Sequence, residues 1–227
     1  NRIYNINLGA AKLNGLQNPP GEVFSFNKNL GSGDAANGYR KELVIKKEGT
    51  GPDFGGGICQ VSTTMFRTML FAGLDLVERN QHTYAVSYYS QILGHGLDAT
   101  IFLGGPDLKF KNDTSGHILI QTYTENDYEL YIVFYGTPDG RKVEMEGPYL
   151  SNYTSPPATV YIETTDLAPG QKKTAEKAHT GFNALWYRHL TMPNGETTKE
   201  TISTRYRAMP MKILVGVEAV AEETTAP

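Results

Sequence analysis

The sequence holds one cysteine, Cys59, one tryptophan, no long apolar run and no marked excess of either charge. A single thiol excludes a disulfide scaffold and a cysteine-based zinc site within the chain. The five histidines (82, 95, 117, 179 and 189) form neither an H-E-x-x-H run nor a close His/Cys pair, so no metal and no cofactor is expected. The most apolar window, 65–77, is broken by Arg67 and Asp75 and is too short to cross a bilayer. Net charge is −3, with 11 basic and 13 acidic groups in residues 1–135 and 10 and 11 in the remainder. No basic face emerges, which argues against nucleic acid and anionic membrane as partners. The chain starts at Asn1 without a signal peptide and closes on a polar tail, 218–227. It reads as a piece of a longer protein, with any membrane anchor outside it.

What is present is folded and strand-rich: 39% hydrophobic residues, 24 glycines, 12 prolines, 14 tyrosines and nine phenylalanines. Ile3, Ile6, Ala10 and Leu13 recur at helical spacing and stop near Gly15. Residues 22–26 and 40–46 read as strands, and 49–57, with five glycines and Pro52, as irregular loop. Ile58, Val61, Met65 and Met69 then mark one face of a helix over 58–72, which Gly73 ends. Period-two alternation follows at 83–89, 98–103, 108–111, 117–124 and 128–135. N-terminal helices packed on an antiparallel sheet give an α+β fold over 1–135, for which a papain- or transglutaminase-like arrangement is one form. Residues 136–157, rich in glycine and proline, read as a linker with one strand at 142–146. Residues 158–217 read as a small, elongated, single-layer β module with a hairpin at Pro193-Asn194-Gly195 and a limited interface to the first domain.

The chemistry concentrates at Gly55-Gly56-Gly57-Ile58-Cys59-Gln60-Val61-Ser62. Three glycines allow a sharp turn and close approach of a ligand, and Cys59 falls in the first turn of a helix. Free N–H groups and the positive end of the helix dipole stabilise a thiolate there, and the same amides, or Gln60, suit an oxyanion. A thiol nucleophile also needs a base and a group to orient it. His82 is the candidate base. If 83–89 and 99–105 form a hairpin, Asp107 lies at the His82 end and Asp98 roughly 23 Å away, so hairpin geometry favours Asp107. The alternative is structural: a lone cysteine as a small core hydrophobe, with the glycines as a tight turn. Segment 49–55 lacks the lysine and spacing of a phosphate loop. Tyr84, Tyr88, Tyr89, Tyr123, Tyr131 and Tyr135 are either a stacking platform for sugars or cross-strand core pairs.

The run from Gly55 to Thr64, with Ala72-Gly73-Leu74, Glu78-Arg79-Asn80-Gln81-His82, Asp98-Ala99-Thr100 and Asp107-Leu108-Lys109-Phe110-Lys111-Asn112, resembles the VanW-like family, as does Pro20-Gly21-Glu22-Val23-Phe24-Ser25-Phe26-Asn27. Segment 90–97 is longer than that family's usual turn before Asp98. The C-terminal part resembles the five-glycine bacterial surface domain through Pro156-Pro157-Ala158-Thr159-Val160-Tyr161, Leu167-Ala168-Pro169-Gly170, His179-Thr180-Gly181-Phe182, Asn194-Gly195 and Val215-Gly216-Val217. The resemblance implies an extracellular, wall- or membrane-anchored bacterial protein, with peptidoglycan or an N-acetylglucosamine-containing wall polymer as partner. Two functions then stand side by side. One is a thiol enzyme acting on peptide or amide bonds of peptidoglycan, with Cys59, His82 and Asp107 or Asp98 as its working groups. The other is a non-catalytic binding or spacer protein whose cleft is built from Gly55, Gly56, Gly57, Gln60, Ser62 and Tyr84.

Overall fold

The computed structural model describes residues 1–46, 49–102, 104–126 and 129–218. The expected strand positions 103 and 128, and the tail from 219, lie outside the described residues. Helix α1 (Arg2–Leu13) buries Ile6, Ala10 and Leu13, the stripe its spacing predicts, and leaves Ile3 exposed. Strands β1 (Gln17–Asn18) and β2 (Val23–Ser25) lead into α2 (Phe26–Leu30), capped by the Ser25 hydroxyl. Next comes a hairpin of β3 (Lys41–Lys46) and β4 (Gly49–Phe54), running from Lys41 opposite Phe54 to Lys46 opposite Gly49. The expectation of irregular backbone over 49–57 is therefore corrected for its first six residues. A two-stranded sheet is all edge, and an edge strand tolerates Pro52.

Helix α3 (Ile58–Phe71) buries Ile58, Val61, Met65 and Met69, the expected face. Beyond it lie β5 (Asp75–Glu78), the single turn α4 (Ser90–Leu93), β6 (Lys109–Lys111), β7 (Ile118–Glu125) and β8 (Glu129–Tyr135). The strands form two small antiparallel sheets, ordered β2-β6-β5 and β1-β7-β8. The α+β class stands. The hairpin considered for 83–89 and 99–105 is not formed among the described residues: Ser87–Tyr89 is a 3-10 turn, and a lone bridge joins Asn80 to Thr100.

Side chains supply the reason. The carbonyl of His95 accepts from Trp186 Nε1 at 2.7 Å, that of Gly96 from Arg79 Nη2 at 3.0 Å and Thr204 Oγ1 at 2.8 Å, and that of Leu97 from Arg67 Nε at 2.8 Å. The carbonyl of Asp98 accepts from Arg79 Nε at 2.6 Å and that of Ala99 from Ser62 Oγ at 2.6 Å. Five consecutive carbonyls met by side chains need no strand partner.

The C-terminal part departs furthest from expectation. The supposed linker contains β9 (Lys142–Thr154), a 13-residue strand. After β10 (Val160–Thr164) and β11 (Lys172–Glu176) come β12 (Gly181–Thr191), β13 (Thr197–Tyr206) and β14 (Lys212–Gly216). β12 is central in the sheet β13-β12-β9, whereas β10, β14 and β11 form a separate small sheet with β10 parallel to β14. The interface with the N-terminal part is not limited. Trp186 and Ile202 are buried in the same core as Leu70, Leu97 and Phe110. Arg188, fully buried, donates to the Leu70 and Leu74 carbonyls at 3.3 and 2.9 Å and pairs with Glu200 at 2.6 Å. A cation is thus held at the carbonyl end of α3, where the helix dipole favours it.

Because Arg188 closes off buried carbonyls, Arg188→Ala is expected to destabilise the protein by about 2–4 kcal/mol. Urea unfolding should also remain a single transition, since both parts share one core. Two separated transitions in the unsubstituted protein would contradict that shared core.

Candidate active site

The glycine turn seats the helix that carries the thiol. Gly55 (φ 78°) and Gly57 (φ 112°) occupy left-handed backbone that only glycine adopts without strain. A Cβ on Gly56 would meet the Leu43 carbonyl oxygen at 2.7 Å, so β3 packs directly on the turn. Asn5, fully buried on α1, donates to the carbonyls of Gly56 at 3.0 Å and Arg40 at 2.9 Å. The Ile58 N–H is taken by Gly55 O and the Gln60 N–H by Gly57 O. The Cys59 N–H between them has no acceptor among the described residues. It stands free at the positive end of a 14-residue helix.

Cys59 is half-buried, and its sulfur lies 3.6 Å from Thr100 Oγ1 and 3.7 Å from the Ile101 carbonyl oxygen. The His82 imidazole lies close enough to weaken the hold of the thiol on its proton. On the far side of that ring, His82 Nδ1 is 2.6 Å from Asp98 Oδ2, which also accepts the His82 backbone N–H at 2.9 Å. With Nδ1 engaged there, Nε2 is the ring atom left for the thiol. Tyr89 packs against the imidazole with ring centroids 5.1 Å apart. Asp98 Oδ1 accepts from the Tyr206 hydroxyl and, at 3.4 Å, from Arg79 Nη2. Tyr206 OH in turn accepts the Gly96 N–H at 3.0 Å. His82 and Asp98 are 3% and 1% exposed, so water does not compete for these bonds.

The charges follow from the contacts. Burial pushes the Cys59 thiol up, but the hydrogen bond and charge of His82 outweigh it and the thiol ends below its ordinary value. Burial pulls His82 down, and the bonds to Asp98 and Cys59 carry it up to about 9. Burial raises Asp98, and the His82 bond and charge with Arg79 bring it down to about 2. The set favours imidazolium and carboxylate at neutral pH and draws the thiol towards its ionised form.

Two cavities flank the thiol. One, of about 320 Å³, is lined by Cys59 with Leu30, Phe54, Ile58 and Ile101. The other, of about 570 Å³, is lined by His82 with Gln81, Thr83, Thr100 and Pro106. They share Val44, Asp53 and Phe102 as a common wall.

Of the residues singled out from sequence, Cys59, His82, Asp98 and Gly55 meet here. Asp107 does not, which corrects the hairpin argument: its oxygens accept from Ser25 Oγ at 2.6 Å, Asn27 N at 2.9 Å and Leu108 N at 2.8 Å, fastening the start of α2. Gln60 lines a different pocket with Thr64, Arg67 and Tyr131. Ser62 is buried and ties α3 to the Ala99 carbonyl. Tyr84 bonds Thr50 at 3.1 Å and stacks on His179 at 4.1 Å, outside the cleft. Among the described residues no cluster of His, Cys, Asp or Glu is fit to hold a metal. Sequence reasoning missed Tyr206; it named Arg79 and Thr100 only within the family motifs and Tyr89 only among the platform-or-core tyrosines. The period-two burial of Ile202, Thr204 and Tyr206 was the one available signal for Tyr206.

The pairing sets a pH dependence of stability. Asp98 titrates at 3.8 unfolded and about 2 folded, so its contribution is whole above about pH 4 and is lost as pH falls towards 2. His82 moves from 6.5 to about 9, so its contribution is whole below about pH 6.5 and is lost as pH rises through 9. Asp98→Asn should therefore lower stability between these limits by about 3–5 kcal/mol and flatten both limbs of the urea-unfolding profile. Unaltered limbs would count against the pair.

A family model described as VanW like protein matches residues 1–135. The chain is 40% identical over 120 residues to "Uncharacterized protein YoaR" of Bacillus subtilis (strain 168), covering 53% of this chain and 38% of that protein. It is 35% identical over 117 residues to "Vancomycin B-type resistance protein VanW" of Enterococcus faecalis (strain ATCC 700802 / V583), covering 50% and 42%. It thus spans about two fifths of the length of each of these relatives. A solved structure, "IgA1 Protease G5 domain structure", aligns with 36% of this chain and all of that one at 16% identity and a TM-score of 0.22, too low to carry an argument about the fold. With the family model spanning more than half of its length, the chain belongs to the VanW-like family.

Proposed function

We propose that this is a bacterial cell-surface thiol enzyme acting on a peptide or amide bond of peptidoglycan. The observation that carries the reading is the bonded Asp98–His82 pair near Cys59, where the cavities lined by His82 and by Cys59 share a wall, with the unpaired Cys59 N–H beside the sulfur. The resistance name of the Enterococcus faecalis relative is what directs the choice of substrate to the wall. Cys59 Sγ⁻ forms a bond to the carbonyl carbon as the carbonyl π pair moves to oxygen, where the Cys59 N–H stabilises it. The C–N bond then breaks as His82 gives its proton to the departing amine. Water or a second amine attacks the thioester, His82 takes the proton of that nucleophile, and the thiolate is regenerated. Asp98 fixes the ring tautomer and offsets the imidazolium charge. The helix-borne cysteine followed in the chain by histidine and aspartate parallels the papain order, and the C-terminal part would serve as the wall-binding module its resemblance implies.

A binding or spacer role is the second reading, favoured by the exposed Tyr149, Tyr153 and Tyr161 outside the cleft. The two separate on the thiol. Alkylation by iodoacetamide should follow an apparent pKa below the ~8.5 of a free thiol, and His82→Ala should move it back towards that value and slow labelling at neutral pH about tenfold. Purified peptidoglycan fragments should be turned over by the intact protein and not by Cys59→Ala. A thiol inert without denaturant would leave the binding role standing instead.

A further inference from the structure

Resting on the thiol-enzyme reading, we infer the polarity and class of the substrate: an amide bond whose acyl-side residue is apolar and sits in the cavity beside Cys59, with its amine side in the cavity beside His82. The assignment follows from where the reacting atoms must be. The carbonyl carbon has to touch Cys59 Sγ with its oxygen at the Cys59 N–H, and the departing nitrogen has to reach His82 to collect a proton. One cavity is lined by Cys59 and not His82, the other by His82 and not Cys59. The acyl chain therefore runs over Gly55 and Ile58 into the first, and the amine portion passes Thr100 into the second.

The linings then select the groups. In the acyl cavity Leu30, Val44, Phe54, Ile58, Ile101 and Phe102 supply the walls. Its charged groups are Asp34 and Asp53, both acidic, and no lysine or arginine lines it among the described residues. A carboxylate placed there loses water among apolar walls and beside Asp34, whereas an aliphatic side chain gains burial.

Irreversible labelling tests this without knowledge of the natural substrate. N-acetyl-leucine and N-acetyl-glutamate chloromethyl ketones each place one acyl-side residue while Cys59 Sγ displaces chloride from the methylene carbon, forming S–C and breaking C–Cl. The leucine probe should label Cys59 at least about tenfold faster than the glutamate probe, measured against iodoacetamide on the same protein. Phe54→Asp should slow the leucine probe more than Thr83→Asp does. Equal rates for the two probes, or the reverse order for the two variants, with iodoacetamide still reactive, would overturn the polarity and leave the thiol reading intact. Failure of all three reagents would instead remove the thiol reading itself.

Discussion

The candidate site depends on an irregular strap, residues 95–99, whose backbone is held by side chains from elsewhere rather than by a sheet. Two arginines, a serine, two threonines and a tryptophan meet its five carbonyls, and the donors come from α3, from the residue after β5, and from β12 and β13. A buried carbonyl left unpaired costs on the order of 1–3 kcal/mol, so each donor specifies the path of the strap as well as stabilising it. The result is that Asp98 arrives opposite His82, 16 residues away in the chain, in a place no hairpin register would give it.

This explains what the sequence disclosed and what it withheld. The helices were legible because Ile6, Ala10 and Leu13, and Ile58, Val61, Met65 and Met69, repeat with the helical period and are buried on that face. The placement of Cys59 in the first turn after three glycines was legible for the same reason. Asp98 was not, because choosing it over Asp107 required knowing that Arg67 and Arg79 feed the intervening carbonyls, and a long-range side-chain bond leaves no periodic trace. Proline misled twice. Pro52 lies in an edge strand, and the glycine- and proline-rich segment after Tyr135 contains the 13 residues of β9. The seam between the two parts was misjudged because Trp186 and Arg188 read as ordinary members of an alternating strand, although their side chains point into the N-terminal core.

The two ends of α3 are treated oppositely. At its start one N–H is left unpaired beside a thiol, with a glycine turn that admits close approach. At its end a fully buried guanidinium closes the Leu70 and Leu74 carbonyls. Satisfying one terminus with a cation and leaving the other open concentrates the unspent polarity of the helix at Cys59. The β3–β4 hairpin, pressed on Gly56, supplies Val44 and Asp53 of the wall common to both cavities, so cleft and nucleophile are built on the same turn.

The Tyr206 phenol lies 71 positions past the last residue of the family match (206 − 135), yet it touches both Gly96 and Asp98. Any shuffling that joined residues 1–135 to a different C-terminal partner would strand the Gly96 amide hydrogen in a dry interior and leave one Asp98 oxygen to Arg79 alone. A successful chimaera would need a hydroxyl delivered to that spot by its new neighbour, which ties the inheritance of the two halves together.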